Sequence, residues 1–209
     1  MRVLFFLCAV FGLISCGKKV GESSDKPYVI SEERRKYEMQ DELYEKGEID
    51  KIVLMNLPKY FYGSENFILD DSSNVFYYHF QPKIYESCIP FEDDDIPYFQ
   101  GLEPDLLIQL PKESLAAFVK LNFRRGIKNK VKIASQKDTL NSKAYFKIRH
   151  ALDKYLSFRP DNDIYLVYPT TQEEDSVLYY KKHQKVYNPD SIKWDKKRIR
   201  FFTKVKIEE

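Results

Sequence analysis

VKIASQKDTLNSKAYFKIRHALDK, residues 131–154, with the IYLVYP that follows at 164–169, carries the pattern that decides the fold. VKIAS is short, apolar and β-branched, as a strand requires. Over 141–158 the periodicity changes: Ala144, Ile148, Ala151, Leu152 and Tyr155 fall on one stripe at helical spacing. Lys143, Lys147, Arg149 and Lys154 lie mostly elsewhere, so this helix has one face to bury. IYLVY reads as a second strand. A strand, a one-sided helix and another strand, joined by few residues, imply a sheet with a helix laid across it.

Working outward, the same alternation continues on both sides. Thr171-Gln172-Glu173-Glu174 fits a capping box that opens a helix to about residue 185. RIRFFTKVKIE, at 198–208, alternates in the β sense and predicts a closing strand. Upstream, DLLIQL (105–110) predicts a strand, and 111–125 a helix carrying Leu115, Phe118 and Val119 and closed by Gly126. NFILD (66–70) and NVFYYHF (74–80) flank Asp70-Asp71-Ser72-Ser73, a hairpin with turn-forming residues at its tip. KIVLMNL (51–57) is β-like. Residues 81–105 read as irregular, with Pro82, Pro90, Pro97, Gly101 and Pro104. Ser31 is placed to cap a helix that runs to about residue 45 and stops at Gly47. The expected fold class is α+β (or α/β): one mixed-sheet domain over 28–209 with helices packed on the sheet.

The segment 131–169 resembles the strand-turn-helix-strand of the periplasmic domain of ExbD-type biopolymer transport proteins. Those also show a Lys-Asp turn, here Lys137-Asp138, and a helix with an Ala-Leu pair, here Ala151-Leu152. The resemblance implies a local fold only. That family's membrane helix has no counterpart, because the apolar run of this chain ends in a different motif, and no functional residue is carried over.

That run occupies residues 3–13, preceded by Met1-Arg2. Its length falls within the roughly 7–15 residues of a signal-peptide core and short of the ~20 that span a bilayer. It is apolar all round, unlike a surface helix. Leu13-Ile14-Ser15-Cys16-Gly17 follows and resembles the lipobox of bacterial lipoproteins. The resemblance implies a cleaved signal peptide over 1–15, cleavage between Ser15 and Cys16, and diacylglycerol joined to the Cys16 sulfur. Gly17, in place of the Asp that goes with inner-membrane retention, implies the outer membrane, facing periplasm or cell surface. Residues 16–27 then form a lipidated, polar tether.

Composition narrows the remaining options. The 209 residues carry a formal net charge of +2, so no global charge argument for a polyanionic partner applies. Of the three cysteines, Cys8 leaves with the signal and Cys16 takes lipid, so Cys88 has no internal disulfide partner. Packing must supply the stability, and sixteen Tyr and fifteen Phe suit a sheet-containing core. The seven glycines give little material for a phosphate loop.

No constellation of reactive residues stands out. His79, His150 and His183 are far apart and outside metal-ligand spacing, so no metal and no cofactor are expected. Cys88 sits near Glu86 and Glu92, which disfavour its thiolate. Ser114, Ser142 and Ser176 lack a nucleophile elbow. Asp93, Asp94 and Asp95 are consecutive, whereas calcium loops space their ligands on alternate residues around a glycine. They belong to a stretch, 86–105, with seven acidic residues and no basic one. The opposite bias lies at 181–206, where ten Lys and Arg face only Asp190 and Asp195.

The expectation is therefore a lipid-anchored cell-envelope protein with a binding or accessory role, as a subunit, assembly factor or immunity-type inhibitor. Its contacts would come from Asp93, Asp94 and Asp95, or from Lys196, Lys197, Arg198 and Arg200. The expected partners are the membrane, through the N-terminal lipid, and an envelope protein. Export argues against nucleic acid, although basic residues interleaved with aromatics would otherwise suggest it. The alternative is an envelope hydrolase or glycan-active enzyme in which an Asp/Glu pair serves as acid and base.

Overall fold

A computed structural model describes residues 25–47, 61–80, 101–123, 130–156, 164–199 and 201. Its strands are β1 (Tyr28–Val29), β2 (Glu65–Leu69), β3 (Val75–His79), β4 (Ile108–Leu110), β5 (Lys130–Ser135), β6 (Thr139–Leu140) and β7 (Ile164–Pro169). Its helices are α1 (Ile30–Glu45), α2 (Leu115–Asn122), α3 (Lys143–Leu156) and α4 (Gln172–His183). Short 3-10 turns lie at Pro104–Leu106 and Pro189–Ser191. Five strands form one mixed sheet in the order β4-β3-β2-β5-β7, and β1 pairs with β6 in a separate ladder. β3 runs antiparallel to both β2 and β4, whereas β2, β5 and β7 are parallel. The fold class is α+β, as expected.

Period-2 alternation divides the sheet into two apolar faces. Phe67, Leu69, Val75, Val131 and Ile133 pack with Leu115 and Val119 of α2 and with Ala144, Ile148 and Leu152 of α3. Ile68, Phe76, Tyr78 and Ala134 face the other way, against Val177 and Leu178 of α4 and against Leu102, Leu107 and Ile199. Helices thus cover both faces. The central strands are buried on both sides, which is why FIL and VKIAS read as nearly unbroken apolar runs. At roughly 1.5–3 kcal/mol for each fully buried large aliphatic side chain, these two layers supply most of the driving force.

The hairpin forms where it was expected. Asp70 accepts hydrogen bonds from the Ser72 and Asn74 N–H groups, at 2.9 and 2.7 Å, and Ser73 takes φ +60. The capping box at Thr171 is also present: the Glu174 N–H donates to Thr171 Oγ1 at 3.2 Å, and the Thr171 N–H donates to Glu174 Oε2 at 2.7 Å.

Other boundaries differ for local reasons. α1 begins at Ile30, so Ser31 lies inside it rather than ahead of it. The capping oxygens come from Asp138, whose carboxylate accepts from Ser31 N at 2.8 Å and from Ser31 Oγ at 2.6 Å. Gly47, at φ +70, follows the end of α1 as expected. β4 is only three residues long because Pro104–Leu106 turns before it. α2 starts at Leu115, after a turn closed by Ser114 N donating to Pro111 O at 3.0 Å. Arg198 N and Ile199 N both donate to Asp195 O, at 2.9 and 3.1 Å, in a turn that precedes a β-bridge at Phe201, and the rest of the expected closing strand, 202–208, lies outside the described residues. The β-like run at 51–57, the signal peptide with Ser15 and Cys16, most of the tether, Cys88 and the acidic Asp93, Asp94 and Asp95 lie outside the described residues, as does Arg200. No helix among the described residues is long and apolar enough to cross a membrane.

Candidate binding site

The site begins with a lysine in an apolar strand. Strand alternation turns Val131 and Ile133 toward α2 and α3, and so turns Lys132 toward α4. Lys132 is 1% exposed. A buried ammonium needs a partner, because an isolated charge in a low-dielectric interior is prohibitively costly. The partner is Glu174, the third residue of the capping box, whose Oε1 and Oε2 lie 3.0 and 2.9 Å from Lys132 Nζ. Oε1 also accepts from the Tyr78 hydroxyl at 2.7 Å. Burial, reinforced by the Glu174 carboxylate, raises the Tyr78 phenol well above its ordinary range. One carboxylate therefore joins β3, β5 and the N-terminus of α4.

Glu173 is spent inward as well. It is fully buried, and its Oε1 accepts the Gly101 and Leu102 N–H groups at 3.0 and 3.2 Å. This holds the 101–107 segment against α4. An acid–base pair for glycan cleavage needs two carboxylates facing a cleft. Glu173 and Glu174, both 0% exposed, face the interior instead.

Beside this network, past the C-terminal end of β7, lies a cavity of about 210 Å³. Phe61 and Tyr168 line it, with ring centroids 5.9 Å apart and planes inclined by 22°. The Arg34 guanidinium, from α1, stands 5.5 Å over the Tyr168 ring. Lys132, Lys197 and Arg198 line it too, with Thr170 and Thr171, so among the described residues every formally charged lining residue is a cation. Burial raises the Tyr168 phenol to about 12, although Arg34 pulls the other way.

The turn that brings Lys197 and Arg198 here is tied to the start of α4 through Gln172. Gln172 Nε2 donates to Lys193 O at 2.9 Å, and its Oε1 accepts from Asp195 N at 2.6 Å. Its backbone N–H donates to Arg198 O at 3.2 Å. The Arg198 guanidinium pairs with Asp175, and Ile199 is anchored in the core. A larger cavity, of about 480 Å³, opens between 101–105 and 185–189. Its charged lining residues among the described ones are Glu103, Asp105 and Lys185, of mixed sign, unlike those of the smaller cavity.

Of the residues singled out from sequence, Lys196, Lys197 and Arg198 are exposed on this turn, and two of them line the cationic cavity. The histidines stay apart. His79 Nδ1 lies 3.2 Å from Glu65, and His150 Nε2 lies 3.3 Å from Asp25. Among the described residues no group of three or more His, Cys, Asp or Glu is placed to hold a metal ion. Ser114 Oγ and Ser176 Oγ donate to local backbone carbonyls, and Ser142 Oγ accepts from Tyr145 N. Sequence reasoning missed Arg34, Phe61, Lys132 and Tyr168. The one legible signal was Lys132 itself, a charge set in the middle of a buried strand. No family model, no curated protein and no solved structure matches the chain.

Proposed function

We propose that this is a lipid-anchored protein of the bacterial cell envelope that binds a partner protein and does not transform a substrate. The leader and lipobox at residues 1–17 support the anchor. The observation that carries the binding role is the basic turn: Lys196, Lys197 and Arg198 are exposed, yet their backbone is fixed by Gln172 and Asp195. A preorganised cationic surface loses little entropy on docking and steers an acidic partner. The carboxylates Glu173 and Glu174 are committed to the interior, whereas Lys196, Lys197 and Arg198 stay exposed.

The test is co-purification from detergent-solubilised envelope, using the full chain with Lys196, Lys197, Arg198 and Arg200 reversed to Glu. Loss of a partner seen with the wild type is expected, and an unchanged set of partners rejects the role. Separately, labelled palmitate is expected in the wild type and not in Cys16→Ala. Equal incorporation rejects the anchor.

A further inference from the structure

We propose that the cavity between Arg34, the Phe61 and Tyr168 rings and the 197–198 turn is a receptor for a small ligand that carries a phosphate or carboxylate on a flat ring. The inference rests on the binding role above and names a ligand class for one part of that surface.

Charge is the first argument. Among the described residues the lining holds Arg34, Lys132, Lys197 and Arg198 and no carboxylate. The counter-charges of two of these, Glu174 for Lys132 and Asp175 for Arg198, are not among the lining residues. Lys132 is sealed against Glu174, so the cations an entering guest meets are Arg34, Lys197 and Arg198, the last of them beside Asp175. Lys197, which forms no ion pair with a carboxylate among the described residues, adds an exposed side chain to the lining. Guanidinium and ammonium groups in a partly enclosed, aromatic-walled space act at a lower effective dielectric than on open surface, which strengthens their hold on an anion.

Shape is the second. Phe61 and Tyr168 supply π-faces, and the Arg34 cation over Tyr168 is already positioned before any guest arrives. Thr171 Oγ1 accepts from Glu174 N and so keeps its own proton to donate. The volume of about 210 Å³ equals roughly seven waters at ~30 Å³ each, which suits an acid group with one ring and excludes a folded segment.

Position is the third. The cavity lies past the carboxyl end of β7, which runs parallel to β5, and open α/β sheets commonly receive ligands at this end.

Phenyl phosphate, benzoate and phenol are to be titrated calorimetrically into the detergent-purified full chain, with vesicles of phosphatidylglycerol as a separate arm. Phenyl phosphate or benzoate is expected to bind and phenol is not, and the stronger of the two acids identifies the preferred anion. Arg34→Gln and Lys197→Gln should each weaken that binding at least tenfold while melting as the wild type does. Lys185→Gln, at the other cavity, should leave it unchanged. Equal binding of phenol and phenyl phosphate overturns the proposal, as does acid binding that survives both variants, or an affinity confined to the vesicles. Because Arg34 belongs to α1 and not to the basic turn, its variant separates this proposal from partner docking. A chain that loses phenyl phosphate with Arg34→Gln yet still captures its protein partner upholds both.

Discussion

Lys132 Nζ, from the middle of β5, sits between the two oxygens of Glu174 at 3.0 and 2.9 Å, with both residues essentially sealed from water. The pair couples β5 to the first turn of α4, the helix to which Gln172 ties the basic turn.

Breaking that pair from one side should be severe. Lys132→Met leaves a buried carboxylate without its cation, and a cost of about 3–5 kcal/mol is expected. Adding Glu174→Gln removes the orphaned charge, so the double variant should be more stable than the sum of the single effects by about 1–3 kcal/mol. Urea denaturation of the four proteins measures this coupling. Strict additivity would show that the two groups do not act as a pair.

Gly63 is required by close approach. A Cβ there would stand 2.5 Å from Lys130 O, 2.8 Å from Lys132 N and 2.9 Å from Glu65 O. All three are backbone atoms of paired strands and have little room to move. Gly63→Ala is expected to cost about 1–3 kcal/mol through forced displacement of β2 from β5. A melting temperature equal to that of the wild type would show that the strands can separate freely at this point.

Acid should weaken the hairpin's link to α4. Burial on its own raises the Asp70 carboxyl, but hydrogen bonds from Lys182 and Asn74 outweigh it and hold the group below its ordinary value. Lys182 Nζ lies 3.0 Å from Asp70 Oδ2. A carboxyl with a depressed folded value contributes stability that is present above its unfolded value, about 3.9, and is lost as pH falls through the folded one. Stability of the wild type should therefore fall more steeply below about pH 4 than that of Asp70→Asn. Urea midpoints measured from neutral pH downward check this, and parallel curves would remove Asp70 as the cause.

Alkali should act in the opposite sense. Burial raises the phenols of Tyr28, Tyr77, Tyr78, Tyr165 and Tyr187, and lifts that of Tyr168 to about 12. Groups raised above the unfolded value of about 10 contribute stability that is complete below it and is lost as pH rises through the folded values. Tyrosinate absorbance should thus appear in two stages. Exposed phenols ionise near pH 10, and the buried set ionises together with loss of the circular dichroism signal. A single stage near pH 10, with the fold intact, would contradict the burial of these hydroxyls.

The elements nearest the quoted stretch were the most legible. β5, α3, β7 and the Thr171 capping box follow from local periodicity and local hydrogen bonding, which a linear pattern records directly. The hairpin at 70–74 follows for the same reason. Where the reading slipped, a distant group had taken over a local task. Asp138, 107 positions away, caps α1 in place of Ser31.

By itself, the sequence determined the α+β class, the strand-helix-strand core and the basic character of the C-terminal segment, because periodicity, turn chemistry and charge are properties of neighbours along the chain. Tertiary structure decided the strand order, the burial of Lys132 against Glu174, and the meeting of Arg34 with Phe61, Tyr168 and Lys197. Those residues are separated by up to 163 positions. The pairing of β2 with β5 and β5 with β7 sets the strands they gather on, α1 brings Arg34 over Tyr168, and Gln172 holds the turn with Lys197. A hydrogen-bonded sheet brings together elements whose sequences carry no sign of one another, since backbone pairing depends on geometry and is almost blind to side-chain identity.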